Sequence, residues 1–150
     1  MTYSLLQHFA LSTTQLIKLH AELFRPVHGN EQVQARVELN VTAQPPADAL
    51  QIPGSYVVAV RLTCVGLPMS GNEADKIFGA ECILNAAYQQ VTGEPLLFET
   101  FARHQTTLTR QLFPVVHAQI QPLMHQLGLS QIRLPQDIYE GDPAELGTRH

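Results

Sequence analysis

From Val33 to Ala43 apolar and polar residues alternate without a break. Val33, Ala35, Val37, Leu39, Val41 and Ala43 fall on one side, and Gln34, Arg36, Glu38, Asn40 and Thr42 on the other. A period of two over this length predicts a strand with one dry and one wet face, hence an antiparallel sheet. Pro45-Pro46 ends it, because neither proline can donate to a ladder. Tyr56 to Val65 is a second such run, Pro68 to Glu73 supplies a turn, and Ile77 to Tyr88 is a third. In the last, Phe78, Ala80, Cys82, Leu84 and Ala86 share a face, while Glu81 and Asn85, with Arg61 of the preceding run, fall on the solvated side. Upstream, Leu6 to Leu23 is apolar with weak periodicity. Phe9 and Leu11, then Leu19, Ala21 and Leu23, predict a first strand interrupted around Ser12-Thr13-Thr14, followed by a turn over Arg25 to Asn30.

The period then changes. Leu97, Phe101, Leu108, Leu112, Val116, Ile120, Leu123 and Leu127 recur at three, four or seven, a helical stripe. Glu94 and Pro95 suit its first turn. Pro114 and Pro122 each remove a backbone donor, which predicts two or more helical pieces, and Gly128 is a natural stop. From about residue 136 to 150 the chain is a polar, acidic tail carrying Asp137, Glu140, Asp142 and Glu145. Strands followed by a helix describe an α+β fold in one domain over residues 1–150.

Composition narrows the function. An apolar fraction of 45% with 15% charged residues describes a folded chain. With two lysines, Lys18 and Lys76, and a net charge of −4, a basic phosphate-binding face is not expected, and nucleic acid is not a predicted partner. No apolar run reaches the ~20 residues that span a bilayer, and Met1 to Leu6 lacks a basic then apolar leader. The expectation is a cytoplasmic chain with no membrane insertion. Cys64 and Cys82, on strands that can pair across the turn near Asn72-Glu73, read there as two small core residues. The Asn40-Val41-Thr42 sequon matters only in a secreted chain.

Candidate chemistry is sparse. Among seven histidines, His117 and His125 stand eight apart, too far for one ion on a helix, and no His-Glu-x-x-His or Cys-x-x-Cys spacing occurs. There is no Gly-x-Ser-x-Gly elbow and no Gly-rich phosphate loop. His104 with Glu99 or Arg103 reads as an exposed helix face, and Cys82 on an apolar strand face as unreactive. Neither catalysis, a cofactor nor a metal is predicted.

One stretch carries more than its period. Leu112-Phe113-Pro114 opens a helix that runs to Gly128 and is followed by an apolar-polar-apolar segment from Leu129 to Pro135. With the strand Tyr56-Val57-Val58-Ala59-Val60-Arg61-Leu62-Thr63-Cys64 and then Ile77-Phe78-Gly79-Ala80-Glu81-Cys82, this order resembles the SecB family of protein-export chaperones from about Phe9 to Pro135. The resemblance implies a four-stranded antiparallel sheet packed on the long helix, and a homo-tetramer built as a dimer of dimers. It also implies an ATP-independent holdase that binds unfolded polypeptides in apolar grooves for export. On these residues it places client contacts at Phe78, Leu129, Ile132, Leu134, Ile138 and Tyr139. Phe101, Leu108, Leu112, Val116 and Ile120 would form an oligomer seam, or else ordinary core under the sheet; Phe78 would line the groove or fill that core.

Two departures stand out. The lid helix expected at the end shrinks to Gln136 to Pro143, with only Ile138 and Tyr139 apolar before Gly141 and Pro143 intervene. The acidic surface that would dock SecA keeps Glu81, but Gly79 stands where a leucine is expected, and Ser12, Thr13, Thr14 or Lys18 replace first-strand acids. A toxin–antitoxin or phage-borne client system is a variant of the same reading. From other classes stand a hotdog or cystatin-like ligand-binding or catalytic domain, and an oligomerisation adaptor without affinity for unfolded chains.

Overall fold

A computed structural model of the chain describes residues 4–45 and 54–129. A short turn of helix, α1 (Leu5–His8), leads into β1 (Phe9–Leu23), β2 (Val33–Ala43), β3 (Ser55–Pro68) and β4 (Phe78–Gln90). Two helices follow, α2 (Phe98–Ala102) and α3 (Gln105–Gln126). The four strands form one antiparallel sheet in the order β1-β4-β3-β2, with α3 packed across one face. The chain is α+β, as its periodicities predict.

The interruption expected near Ser12 is a bulge. The register of β1 on β4 slips between Leu11 and Thr13, and again between Leu16 and Lys18. Ser12 uses its place in the first slip to donate its hydroxyl to the Ala87 carbonyl at 3.0 Å. Each extra residue inverts the inward parity. Phe9 and Leu11 lie on the helix side with Tyr88, then Thr14 and Leu16 with Ala86 and Leu84, then Leu19, Ala21 and Leu23 with Cys82, Ala80 and Phe78. The weak periodicity of this segment is thus a strict alternation whose phase shifts twice. β2, by contrast, pairs with β3 from Val33 to Ala43 with no shift.

The core lies between sheet and helix. Val58, Val60, Leu62 and Cys64 of β3 and Phe78, Cys82, Leu84, Ala86 and Tyr88 of β4 meet Leu108, Leu112, Val116, Ile120 and Met124 of α3. Covering one such large apolar side chain contributes roughly 1.5–3 kcal/mol. Gly66 has a specific role: a Cβ there would sit 2.0 Å from the Phe78 ring, so the ring occupies the space a side chain would need.

The prolines do not split α3. Pro114 and Pro122 lie on its solvent side, where the carbonyls they free, at Arg110 and Ala118, also lie on exposed residues. The helical stripe breaks earlier, at Arg103-His104 between α2 and α3. The stop is at Gly128 as expected: its φ is +78°, its N–H bonds the His125 carbonyl at 3.0 Å, and Leu129 N–H reaches back to Met124 at 2.9 Å. This pair of bonds is a Schellman cap, and its apolar member, Leu129, is buried.

Candidate functional site

The structure uses inside the chain several residues that sequence assigns to contacts with other molecules. Phe101, Leu108, Leu112, Val116 and Ile120 are all 0% exposed, pressed against the chain's own sheet. In the single chain the stripe packs as core, the alternative already open to it. Phe78 is likewise 0% exposed over Gly66, and Leu129 is 1% exposed in the helix cap. Ile132, Leu134, Ile138 and Tyr139 lie outside the described residues.

Apart from Val57 and Met69, the exposed large apolar side chains of the described residues fall in two regions. One surrounds the connection from β4 to α2. Val91 and Thr92 donate their N–H groups to the His8 carbonyl, at 2.7 and 3.4 Å, tying the loop to α1. Gln90 accepts from Leu96 N–H at 2.9 Å and donates to the Thr92 carbonyl at 3.0 Å, while the Tyr56 hydroxyl donates to the Leu96 carbonyl. A loop pinned through its main chain leaves Val91 and Leu97 exposed, with Leu6 of α1. Beneath it Tyr56, Phe98, Phe101, Phe9 and Tyr88 form a continuous aromatic cluster, with centroid separations of 4.8 to 6.2 Å. The Tyr88 hydroxyl, whose ionisation burial suppresses, donates to Gln111 of α3 at 2.6 Å.

The second place is β1. Leu16 and Leu23 on the helix side of the sheet are 46% and 39% exposed, while Leu19 and Ala21 between them are half-buried against the core. Ile17, at the second bulge, and Phe24 are about half exposed. Phe24 lies against Gly79, whose Cβ would come within 3.3 Å of the ring, so the place of the expected leucine is next to an aromatic side chain from the neighbouring segment.

The outer face of the sheet mixes apolar residues such as Val57 and Ile83 with charged ones, several of them paired. Glu81 receives Lys18 at 2.8 Å and Arg61 at 2.6 Å, and both hold its carboxyl below the usual range. The candidate docking acid is therefore shielded by two cations. Arg36 pairs with Glu73 at 2.7 Å beside a cleft of about 190 Å³ lined by Arg36, Glu38, Thr63, Val65, Glu73 and Lys76. At one end of the sheet Arg25 grips Glu31 at 2.6 Å and Asp75 at 2.8 Å. Its guanidinium and the His28 N–H draw the Glu31 carboxyl down to about 2.

The register sets Cys64 opposite Ala80 and Cys82 opposite Leu62, one rung apart rather than face to face. Burial pushes the Cys64 thiol up to about 12 and raises that of Cys82, so neither is a thiolate near neutrality. Among the described residues no three His, Cys, Asp or Glu side chains converge on a metal-sized site, and no helix is long and apolar enough to cross a membrane.

No family model matches the chain, and no curated protein is similar to it. Among solved structures the chain is similar to a Mycobacterium tuberculosis SecB-like chaperone, Rv1957, in complex with a ChAD peptide from the Rv1956 HigA1 antitoxin. The TM-score is 0.67, with 16% identity over 86% of this chain and 90% of that one. At this identity the likeness establishes a shared fold, the one that the order of strands and helix resembles.

Proposed function

We propose that this chain is an ATP-independent holdase that keeps non-native polypeptides from aggregating, working in the cytoplasm for export or for another SecB-like client system such as a toxin–antitoxin pair. The observation that carries this reading is the shared fold with a SecB-like chaperone whose structure holds a peptide. Exposed Leu6, Val91 and Leu97 beside an aromatic cluster support it, since apolar burial is non-directional and asks for no client sequence. In this reading Ile132, Leu134, Ile138 and Tyr139 extend the client surface.

The assembly we propose is a tetramer whose seam uses the uncovered side of β1, Leu16, Ile17 and Leu23, in place of the buried α3 stripe. Docking of SecA through Glu81 is not part of the proposal, because its carboxylate would first have to leave Lys18 and Arg61.

The test is light scattering from a chemically denatured client, without ATP, paired with native mass. Suppression at near-stoichiometric ratio by a species of about 66 kDa, four chains of 16.6 kDa, is expected. A monomer that suppresses nothing overturns the proposal.

A further inference from the structure

β2 is the last of the four strands and pairs on one side only, with β3. In an antiparallel ladder successive residues alternate between bonding the neighbouring strand and pointing their N–H and C=O groups away from it. Gln44 N–H donates to the Val57 carbonyl at 2.8 Å, one step beyond Ala43↔Val58, so the even-numbered residues of β2 bond β3 and the odd-numbered ones face away. These outward groups are nevertheless covered: Ala35 and Val37 are 5% and 1% exposed as whole residues. At Val41 the Gln105 side-chain amide supplies a partner by donating to its carbonyl. At Ala35 and Val37 no main-chain bond on that side occurs among the described residues.

α3 packs on one face of the sheet, whereas the outward N–H and C=O groups of β2 lie in the sheet's own plane. Buried main-chain groups are paired in more than about 90% of cases, so the cover has to bring donors and acceptors. β2 has none of the usual edge devices: its register is unbroken and it contains no proline, glycine or lysine.

Reach decides which part of the chain supplies the cover. Residues 46–53 leave from Pro45 and return to Gly54, so they extend about 15 Å out and back, while Val37 lies about 26 Å along the strand from Pro45. Residues 1–3 precede β1, at the far edge of the sheet. Residues 130–150 start from Leu129, which is packed in the core between sheet and helix. The first of them, Ser130-Gln131-Ile132-Arg133-Leu134-Pro135, alternate polar and apolar and stop at a proline, the sequence pattern of a short strand.

We propose that the cover on β2 is the chain's own segment from Ser130 to Leu134, laid main chain to main chain over Ala35 and Val37. Ile132 and Leu134 share one side of that segment, and Gln131 and Arg133 the other. This matches the two sides of β2, with half-buried Val33 and Leu39 toward the helix and Arg36 and Glu38 on the outer face. The segment does for β2 what two bulges and Lys18 do for β1: it removes a template for edge-to-edge pairing. A partner at this side of the sheet is then met by side chains alone. A second copy is less well suited as the cover, because none of the large exposed apolar side chains lies on β2.

The test is NMR on the full, isotope-labelled chain with no client present. The amides of Ala35 and Val37 should exchange within about tenfold of those of Gln34 and Arg36, which bond β3. Nuclear Overhauser cross-peaks should join the main chain of Ala35 and Val37 to that of residues 130–134. Fast exchange at the two amides overturns the proposal. So do cross-peaks from them to another segment only, or to another copy when labelled and unlabelled chains are mixed. In the double variant Ile132→Pro with Arg133→Pro, which removes main-chain donors of both parities, exchange at Ala35 and Val37 should speed up at least about tenfold. Gln34, Arg36 and Glu38 should stay slow, as the sign that the sheet persists. Unchanged exchange at Ala35 and Val37 in that variant overturns the proposal, and if the variant does not fold, the cross-peaks of the parent chain decide.

Discussion

The two edges of the sheet differ in what they offer. β1 is bulged twice and exposes Leu16, Ile17 and Leu23. β2 is regular and keeps Ala35, Val37 and Val41 buried, main chain included. One edge offers apolar side chains with its main chain disrupted; the other is already covered over Ala35, Val37 and Val41. Exposed apolar side chains on a strand suit a fixed, self-complementary surface.

Four changes break or sharpen this contrast. Deleting Ile17 removes the second bulge and turns Leu19, Ala21 and Leu23 to the wrong face. Turning half-buried Leu19 and Ala21 off the core and shifting their ladder register should cost about 3 kcal/mol, read as a clear fall of the thermal transition; an unchanged melt would show that β1 has no fixed phase. Gly66→Ala forces the Phe78 ring out of the seat opposite Ala35, at a cost of about 1–3 kcal/mol. Adding Phe78→Ala to it should cost less than the sum of the two single changes, because the clash then has no partner; strict additivity in urea melts would remove the contact. Leu16→Glu with Leu23→Glu should lower native mass while changing subunit stability by no more than roughly 0.5 kcal/mol, as for exposed positions; retention of mass would move the seam off β1.

The smallest effect concerns pH. Glu31 is an ordinary carboxyl when unfolded and is drawn down to about 2 when folded. Its contribution is therefore present above about 4.5 and is lost as pH falls from there toward 2. Glu31→Gln should flatten that part of the stability–pH curve relative to the parent, with little change in melting temperature near pH 2; identical slopes would deny the clamp its role.

Much of the fold is legible in the sequence because burial imposes a period. β2, β3 and β4 each keep one phase from end to end, so their faces can be read directly. β1 hides its order behind two bulges, and Leu16 looks out of step only until the parity shift beside Ile17 is allowed for. The prolines of α3 mislead for a related reason: a helix tolerates a lost donor where water can reach the freed carbonyl, and exposure cannot be read from a single residue. The contact residues were harder still. An apolar residue in a stripe reads the same whether the chain buries it or a partner does, and Phe101 to Ile120 turn out to be spent at home. Val91 carries no period, and Leu97 heads the helical stripe yet is exposed; their loop is pinned by Gln90 and Tyr56.

Arg25 has a consequence for how the edges communicate. β1 and β2 lie at opposite sides of the sheet, so residues 24–32 between them must run past the ends of β4 and β3, about 14 Å at the usual strand spacing. Arg25 and Glu31 fasten this strap at both ends of the Pro26 to Asn30 span, and Asp75 ties it to the hairpin of the two central strands. A strap anchored to the middle of the sheet cannot carry a pull from one side to the other. A contact made along β1 then leaves the β2 side of the sheet mechanically indifferent.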